Sequence, residues 1–273
     1  MTEARDLAAR RNRAVALSIP KERFRTLLAD VGRRMGLSAT AIDQLVRSAQ
    51  LGRWNKGQSI FSPEDTADFV NFLVSGIVKV SCPSGAGTVC VQLIRPGQFF
   101  GLNWYADQGQ PRLFSASAFT DATVAIITSE MMGELVAASP PPGVLQIVSF
   151  SWRVLSRLLY EKCSLLGLRL EDRLIHELAV LARDFGSERD GDVVLDLPLT
   201  HADLAEFALG SRANVARVMK RFERGGLIGK DGRRTVLRAS FFDARCNPHV
   251  HDILRGDLMP VARRSIALNE SGF

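Results

Sequence analysis

The chain has 273 residues, 46% of them hydrophobic and 23% charged, with a formal net charge of +6. That length accommodates two domains with separate cores, and the composition excludes a disordered or fibrous chain. No apolar run approaches the ~20 residues needed to span a bilayer, and the four cysteines are too widely spaced for a disulfide framework.

The start of the chain carries Arg5, Arg10, Arg11 and Arg13 and lacks the continuous apolar core of a secretory signal. A transit peptide would share that arginine content, but a reducing cytoplasm fits the whole pattern, and no membrane association is expected. Residues 1–37 form an Arg-rich extension, helical at best, interrupted by Pro20. A short helix capped by Ser38 follows and opens a domain over 38–143. From Trp54 to Thr128 short β-rich runs (Phe69–Leu73, Ile77–Ser81, Thr88–Ile94, Ala122–Ile127) alternate with glycine turns, the pattern of a roll or sandwich.

Pro140-Pro141-Pro142-Gly143 stops any helix and opens another over 144–167. There Leu145, Trp152, Leu159 and Leu166 recur every seven residues. Val148 and Leu155 fill the second seam position until Lys162 interrupts it. This is the spacing of a parallel two-helix seam, hence a homodimer. Packing of the helix on its own roll is the alternative. A further helix, about Leu170 to Phe185, leads into a domain over 168–240, and residues 241–273 look like a weakly ordered tail.

Residues 199–222 carry the most information. Thr200 is a good N-cap, with Asp203 three residues on in the reciprocal capping position. Leu204, Phe207 and Ala208 then share one helical face. Gly210-Ser211 breaks the pattern, and Ser211 can cap a second helix in which Val215, Val218, Met219 and Phe222 face a core. Arg212, Ala213, Asn214, Ala216, Arg217, Lys220 and Arg221 are left on the outside, and of these all but Ala216 are expected at DNA together with Thr200 and Ser211. Small residues and cations opposite an apolar stripe suit the DNA major groove. Residues 229–237 read as a hairpin with an Asp-Gly turn, a wing bearing Lys230, Arg233 and Arg234. Residues 200–238 hold nine Lys or Arg against four acids, so this segment carries nearly all the chain's charge excess, the footprint of polyanion binding.

A β-roll, a long dimerisation helix and a winged helix-turn-helix, in that order, resemble the Crp–Fnr superfamily of bacterial transcription regulators. The resemblance covers residues 38–238. It rests on the helix-turn-helix and on three stretches that look like a cyclic-nucleotide-binding roll: Asn55-Lys56-Gly57-Gln58-Ser59-Ile60-Phe61, residues 71–80, and Arg95-Pro96-Gly97-Gln98-Phe99-Phe100-Gly101. The expected fold is therefore α+β. The resemblance implies that Arg212, Ala213 and Arg217 occupy base-reading positions, that double-stranded promoter DNA is the ligand, and that RNA polymerase is a partner. The middle position is usually glutamate. With Ala213 there, no carboxylate accepts from cytosine, and the family's familiar half-site is not assumed.

The resemblance also locates an effector pocket over Gly101, Leu102, Arg112, Leu113, Leu158 and Leu159. The family places a ribose-binding glutamate where Leu102 stands, a hydroxyl residue at Leu113, and hydroxyls on the long helix near Leu158 and Leu159. Arg112 alone retains a polar role. A ribose hydroxyl facing Leu102 forfeits a buried hydrogen bond at a cost of about 1–3 kcal/mol. Control by classical cAMP is not expected, although a nucleotide-responsive regulator is the alternative. Trp104 and Tyr105 could fill the cavity.

No cofactor is expected. The region before the roll has no cysteine for an iron–sulfur cluster, the sensor half has no histidine for haem, and Cys82 and Cys90 lie on β-runs. Residues 246–252 (Cys246, His249, His251, Asp252) fit no standard zinc spacing. The four histidines gather near no nucleophile, and no phosphate-cradling loop occurs, so an enzyme is disfavoured. A signalling module whose winged helix grips protein is the remaining competitor.

Overall fold

A computed structural model of the chain describes residues 21–85, 87–102 and 111–243. It divides into two compact units, the first ending at Ser156 and the second beginning at Arg157. The first unit contains helices α1 (Lys21–Arg34) and α2 (Ala39–Ser48), eight strands, and helix α3 (Ser129–Ala137). The strands are β1 (Gln50–Trp54), β2 (Ser59–Phe61), β3 (Phe69–Ser75), β4 (Val78–Ser84), β5 (Gly87–Ile94), β6 (Phe99–Phe100), β7 (Ser115–Ala118) and β8 (Ala122–Thr128). They form two antiparallel four-stranded sheets, in the orders β1-β8-β3-β6 and β2-β7-β4-β5.

Strand β3 is apolar on both faces because it separates two cores, which is why its sequence reads as a continuous run instead of an alternation. Val70, Phe72 and Val74 join Phe24, Leu28, Ile42, Leu45, Phe99 and Met132 on the helical side. Leu73 faces Phe61, Val78, Ile94, Phe100 and Val124 between the sheets, with Phe69 packed against that cluster. Edge-on aromatic contact knits the helical side, with the Phe72 and Phe99 rings 4.8 Å apart.

Helix α1 corrects the reading of residues 1–37 as one extension. Phe24, Leu28, Val31 and Met35 recur at i, i+4, i+7 and i+11 and are buried in this core. Arg23, Arg25, Arg33 and Arg34 on the other face disguise that seam. Ser38 caps α2 as expected, accepting from the Ala41 amide.

Helix α4 (Pro141–Cys163) crosses the division between the units. Leu145, Val148, Trp152, Leu155 and Leu159 are all exposed on it. Leu166, assigned to the same seam, is equally exposed but lies beyond the end of the helix.

In the second unit α5 (Leu170–Phe185) precedes a hairpin of β9 (Gly186–Arg189) and β10 (Asp192–Leu195). Asp190 and Gly191 form its two-residue loop, both at positive φ, as a type I′ turn requires. Helices α6 (His201–Phe207) and α7 (Arg212–Arg224) follow, then β11 (Ile228–Asp231) and β12 (Arg234–Leu237) in a sheet ordered β11-β12-β10-β9. A 3₁₀ turn over Ala239–Phe242 buries Phe241 completely, so the segment after 240 begins as part of the core. The rest of the expected tail, with Cys246–Asp252, lies outside the described residues, as do Trp104 and Tyr105.

The turn between α6 and α7 has an unusual solution. A Cβ on Gly210 would stand 2.6 Å from Leu170 Cδ1, so glycine lets the Leu170 side chain of α5 lie against the turn without shifting. The left-handed residue of the turn then falls on Leu209, at φ 53°, and Arg173 secures it by donating to the Leu209 carbonyl at 3.2 Å. A second local feature joins the end of α4 to α5. Glu177, 6% exposed, accepts from Lys162 Nζ at 2.9 Å, while Glu161 and Asp184 share Arg157 and Arg183. Burial pushes the Glu177 carboxyl above its ordinary value, and Lys162 pulls it part of the way back.

Two predictions follow from these contacts. Left-handed backbone strains a leucine by roughly 1–2 kcal/mol, part of which is offset by the greater conformational freedom that glycine gives the unfolded chain, so Leu209→Gly, at an exposed side chain, raises stability by about 0.5–1 kcal/mol in urea unfolding. Lys162→Met leaves the Glu177 carboxylate buried without its partner. Such loss costs 3–5 kcal/mol for a fully buried pair, and about 2 kcal/mol here because the Lys162 side chain stays 28% exposed. Because Glu177 titrates above its ordinary 4.5 in the fold, its contribution is fully present below that pH and is lost as pH rises through the folded value. The substitution steepens the loss, so unfolding curves of variant and parent, well separated at pH 7, converge toward pH 4.5.

Candidate nucleic-acid interface and sensor pocket

Thr200 and Asp203 form a reciprocal capping box at the start of α6, the Thr200 hydroxyl also bonding Asp203 Oδ2 at 2.6 Å. Ser211 Oγ accepts from the Asn214 amide and starts α7. Thr200 thus caps α6 and Ser211 caps α7, and both hydroxyls help set where the two helices begin.

Val215, Val218, Met219 and Phe222 are buried as the spacing predicts. That fixes the rotation of α7, so Arg212, Ala213, Asn214, Arg217, Lys220, Arg221 and Arg224 are all exposed on its outer surface. Arg217 bonds the Asn214 side-chain oxygen. Arg221 reaches across to Glu171 of α5 at 2.6 Å.

The wing has the expected hairpin with a small change of turn. Asp231 pairs with Arg234, so the two-residue loop is Gly232-Arg233, with positive φ at Gly232 alone. That is the type II′ arrangement, not one centred on Asp-Gly. Lys230 lies 3.6 Å from Glu223 and Arg234 lies 3.0 Å from Asp196, while Arg238 holds Asp192 at 2.7 Å. Among the described residues, Arg212, Lys220, Arg224 and Arg233 have no carboxylate within ion-pair distance. Arg224 is the cation in this group that the sequence reading left out of the interface. It follows α7's outward face one turn beyond Lys220.

In the first unit Arg112 is 2% exposed just before β7. Its main-chain N–H donates to the Asp65 carbonyl at 2.9 Å, and its guanidinium donates to the Phe69 carbonyl at 2.6 Å. The guanidinium carbon lies 4.2 Å from the Phe61 ring centre and 4.6 Å from that of Phe69. Burial lowers its pKa to about 10 against the opposing pull of Asp65 and Asp68, so it remains a cation at neutral pH.

Gly101 stands beside it. A Cβ there would lie 2.7 Å from an Arg112 terminal nitrogen and 3.3 Å from Asn71 Nδ2. The structure brings Gly101 and Arg112 together with Phe61 and Asn71. Leu102 packs against the helix-side core and Leu113 is 70% exposed. Leu158 and Leu159 belong to the second unit. Asn71 was missed on sequence grounds, although a lone amide in the apolar run Phe69–Val74 was the available signal. It is fully buried and neither end of its amide makes a hydrogen bond.

Comparison with known proteins accounts for both halves. Residues 51–139 match the cyclic nucleotide-binding domain family, and residues 172–240 match the Crp-like helix-turn-helix domain family. The global nitrogen regulator of Synechocystis sp. is 30% identical over 178 residues, 64% of this chain and 78% of that protein. The CRP-like cAMP-activated global transcriptional regulator of Mycobacterium tuberculosis is 24% identical over 216 residues, 78% of this chain and 95% of that one. The c-di-GMP responsive global regulator CLP of Xanthomonas campestris shares the fold, with a TM-score of 0.62 and 21% identity over 74% of this chain and 99% of its own. With a capped recognition helix, a basic wing and a nucleotide-binding-type roll matched along their length, this chain belongs to the Crp/Fnr family of DNA-binding transcription regulators.

Proposed function

We propose that the chain works as a homodimer on two-fold symmetric promoter DNA, and that cAMP is not its effector. The observation that carries the dimer is the row of exposed side chains on α4. Leu145, Val148, Trp152, Leu155 and Leu159 recur at coiled-coil spacing, and Trp152 alone is 66% exposed. An apolar stripe of this length on a folded chain is a partner surface, and a second copy supplies the same stripe by symmetry. Two copies of α7 then reach half-sites about one DNA turn apart.

On each copy Arg212, Ala213, Asn214 and Arg217 face base edges, Lys220 and Arg221 flank them, and Lys230, Arg233 and Arg234 of the wing meet phosphates. Surface ion pairs such as Arg221–Glu171 and Arg234–Asp196 contribute only about 0–1 kcal/mol, so phosphates readily replace the carboxylates. Promoter binding of this kind implies a contact with RNA polymerase and a cytoplasmic location. Among the described residues no helix is long and apolar enough to cross a membrane.

The case against cAMP rests on Leu102 and Arg112. Leu102 offers no acceptor to a ribose, and the Arg112 guanidinium already serves the Phe69 carbonyl between two ring faces. A second reading, regulation by some other polar effector, draws on Asn71, whose buried amide keeps both its donors and its acceptor uncommitted.

Enrichment of bound duplexes from a random pool, at fixed salt with and without cAMP, tests the main reading. The expected result is one palindromic site, equally enriched in both arms. A tenfold gain with cAMP, about 1.4 kcal/mol, overturns cAMP independence, and a single unpaired half-site overturns the dimer. Arg233→Ala at the tip of the wing is expected to weaken binding to all sequences alike and to reduce the slope of log affinity against log salt by about one per protomer. A change in base preference instead would place Arg233 on base edges.

A further inference from the structure

The cations on α7 are held in different ways. Arg221 is tied to the carboxylate of Glu171, which cancels part of its charge toward an approaching polyanion. Arg217 is held by a neutral acceptor, the side-chain oxygen of Asn214 one turn earlier on the same exposed face. Asn214 is free to do this because its helix-capping contribution, a bond to Ser211 Oγ, comes from its main-chain N–H and not from its side chain.

We propose that Asn214 is a positioning residue for Arg217 that raises the selectivity of this position for guanine. The inference rests on the reading of α7 as the base-contacting helix. A guanidinium has five N–H donors, and a fork to guanine O6 and N7 uses two of them. One donor given to Asn214 therefore leaves a fork intact while removing much of the rotamer freedom that an exposed arginine must otherwise lose on binding. Because the Asn214 oxygen is uncharged, the guanidinium keeps its full positive charge. Asn214 is left presenting Nδ2–H donors alone, and Ala213 beside it presents no polar group. This part of α7 consequently offers donors without an acceptor, which matches guanine's two major-groove acceptors and mismatches the amino group of cytosine.

The test is random-duplex enrichment with the full chain, comparing wild type, Arg217→Ala, Asn214→Ala, Asn214→Asp and the double alanine variant. Arg217→Ala identifies the base pair that Arg217 reads. At that base pair Asn214→Ala is expected to lower the preference for guanine by about threefold to tenfold while preferences elsewhere and the salt slope stay put. Asn214→Asp, which restores the acceptor, retains the guanine preference but weakens binding to every sequence through its charge. In the Arg217→Ala background Asn214→Ala has no further effect on preference. Asn214→Ala that leaves the preference unchanged, or that weakens all sequences equally, overturns the proposal. So does an added loss in the Arg217→Ala background, which shows Asn214 acting independently. If Arg217→Ala itself alters no base preference, the reading of α7 falls and takes this inference with it.

Discussion

The recognition helix can offer its cations outward because its opposite face is wholly committed. Val215, Val218, Met219 and Phe222 are buried together, and a helix anchored by four side chains over two turns has one rotational setting about its axis. Gly210 lets Leu170 of α5 close on the turn that leads into the helix. Capping by Ser211 fixes where the helix starts. Rotation, entry and first residue are thus determined by apolar packing and a local capping hydrogen bond. The positions of Arg212, Asn214 and Arg217 on the outside follow from that packing and require no charge interaction to maintain them.

The same packing leaves the electrostatics adjustable. Of the nine cations between residues 200 and 238, the ones at Arg221, Lys230, Arg234 and Arg238 have carboxylate partners from α5, α7 itself, and β10 or the residue just after it. These pairs are at least partly exposed and screened, so they steady the free protein without holding the side chains against a competing phosphate. Arg238 differs from the others in purpose. Its partner Asp192 also accepts from the Ala239 main chain, so that pair closes β10 onto the end of the domain. Summed charge therefore overstates the interface, and counting cations without their partners mixes a structural arginine with those that face DNA.

Much of this was legible in the sequence where one periodicity had one explanation. The capping box at Thr200, the buried face of α7 and the four longest strands of the roll follow from spacing and turn chemistry alone. The seam of α1 was not seen, because Arg23, Arg25, Arg33 and Arg34 dominate the composition while Phe24, Leu28, Val31 and Met35 mark the core at helical spacing. The β9–β10 hairpin was missed although Asp190-Gly191 is a strong turn signal. Its strand β9 is exposed throughout and shows no alternation to notice. Charge pairing between distant elements, such as Arg221 with Glu171, has no signature in spacing at all. Gly210 was visible as a break in the pattern, but the neighbour packed on it, Leu170, is tertiary.

Arg112 shows most clearly why matching a motif position is not matching its chemistry. By alignment it is the one polar residue retained in the nucleotide pocket. In the fold it is a structural element that ties the segment before β7 to β3 through the Phe69 carbonyl, with its charge spread over two aromatic faces. A phosphate would meet a guanidinium that already gives one donor to Phe69 and whose charge lies between two ring faces, so the position is built into the fold before any ligand arrives. The fully buried amide of Asn71 stands beside Arg112 and makes no hydrogen bond at either end. The amide is neutral and both donates and accepts. It therefore favours a ligand edge with the complementary pair, and gains little from the negative charge that a cyclic phosphate would bring.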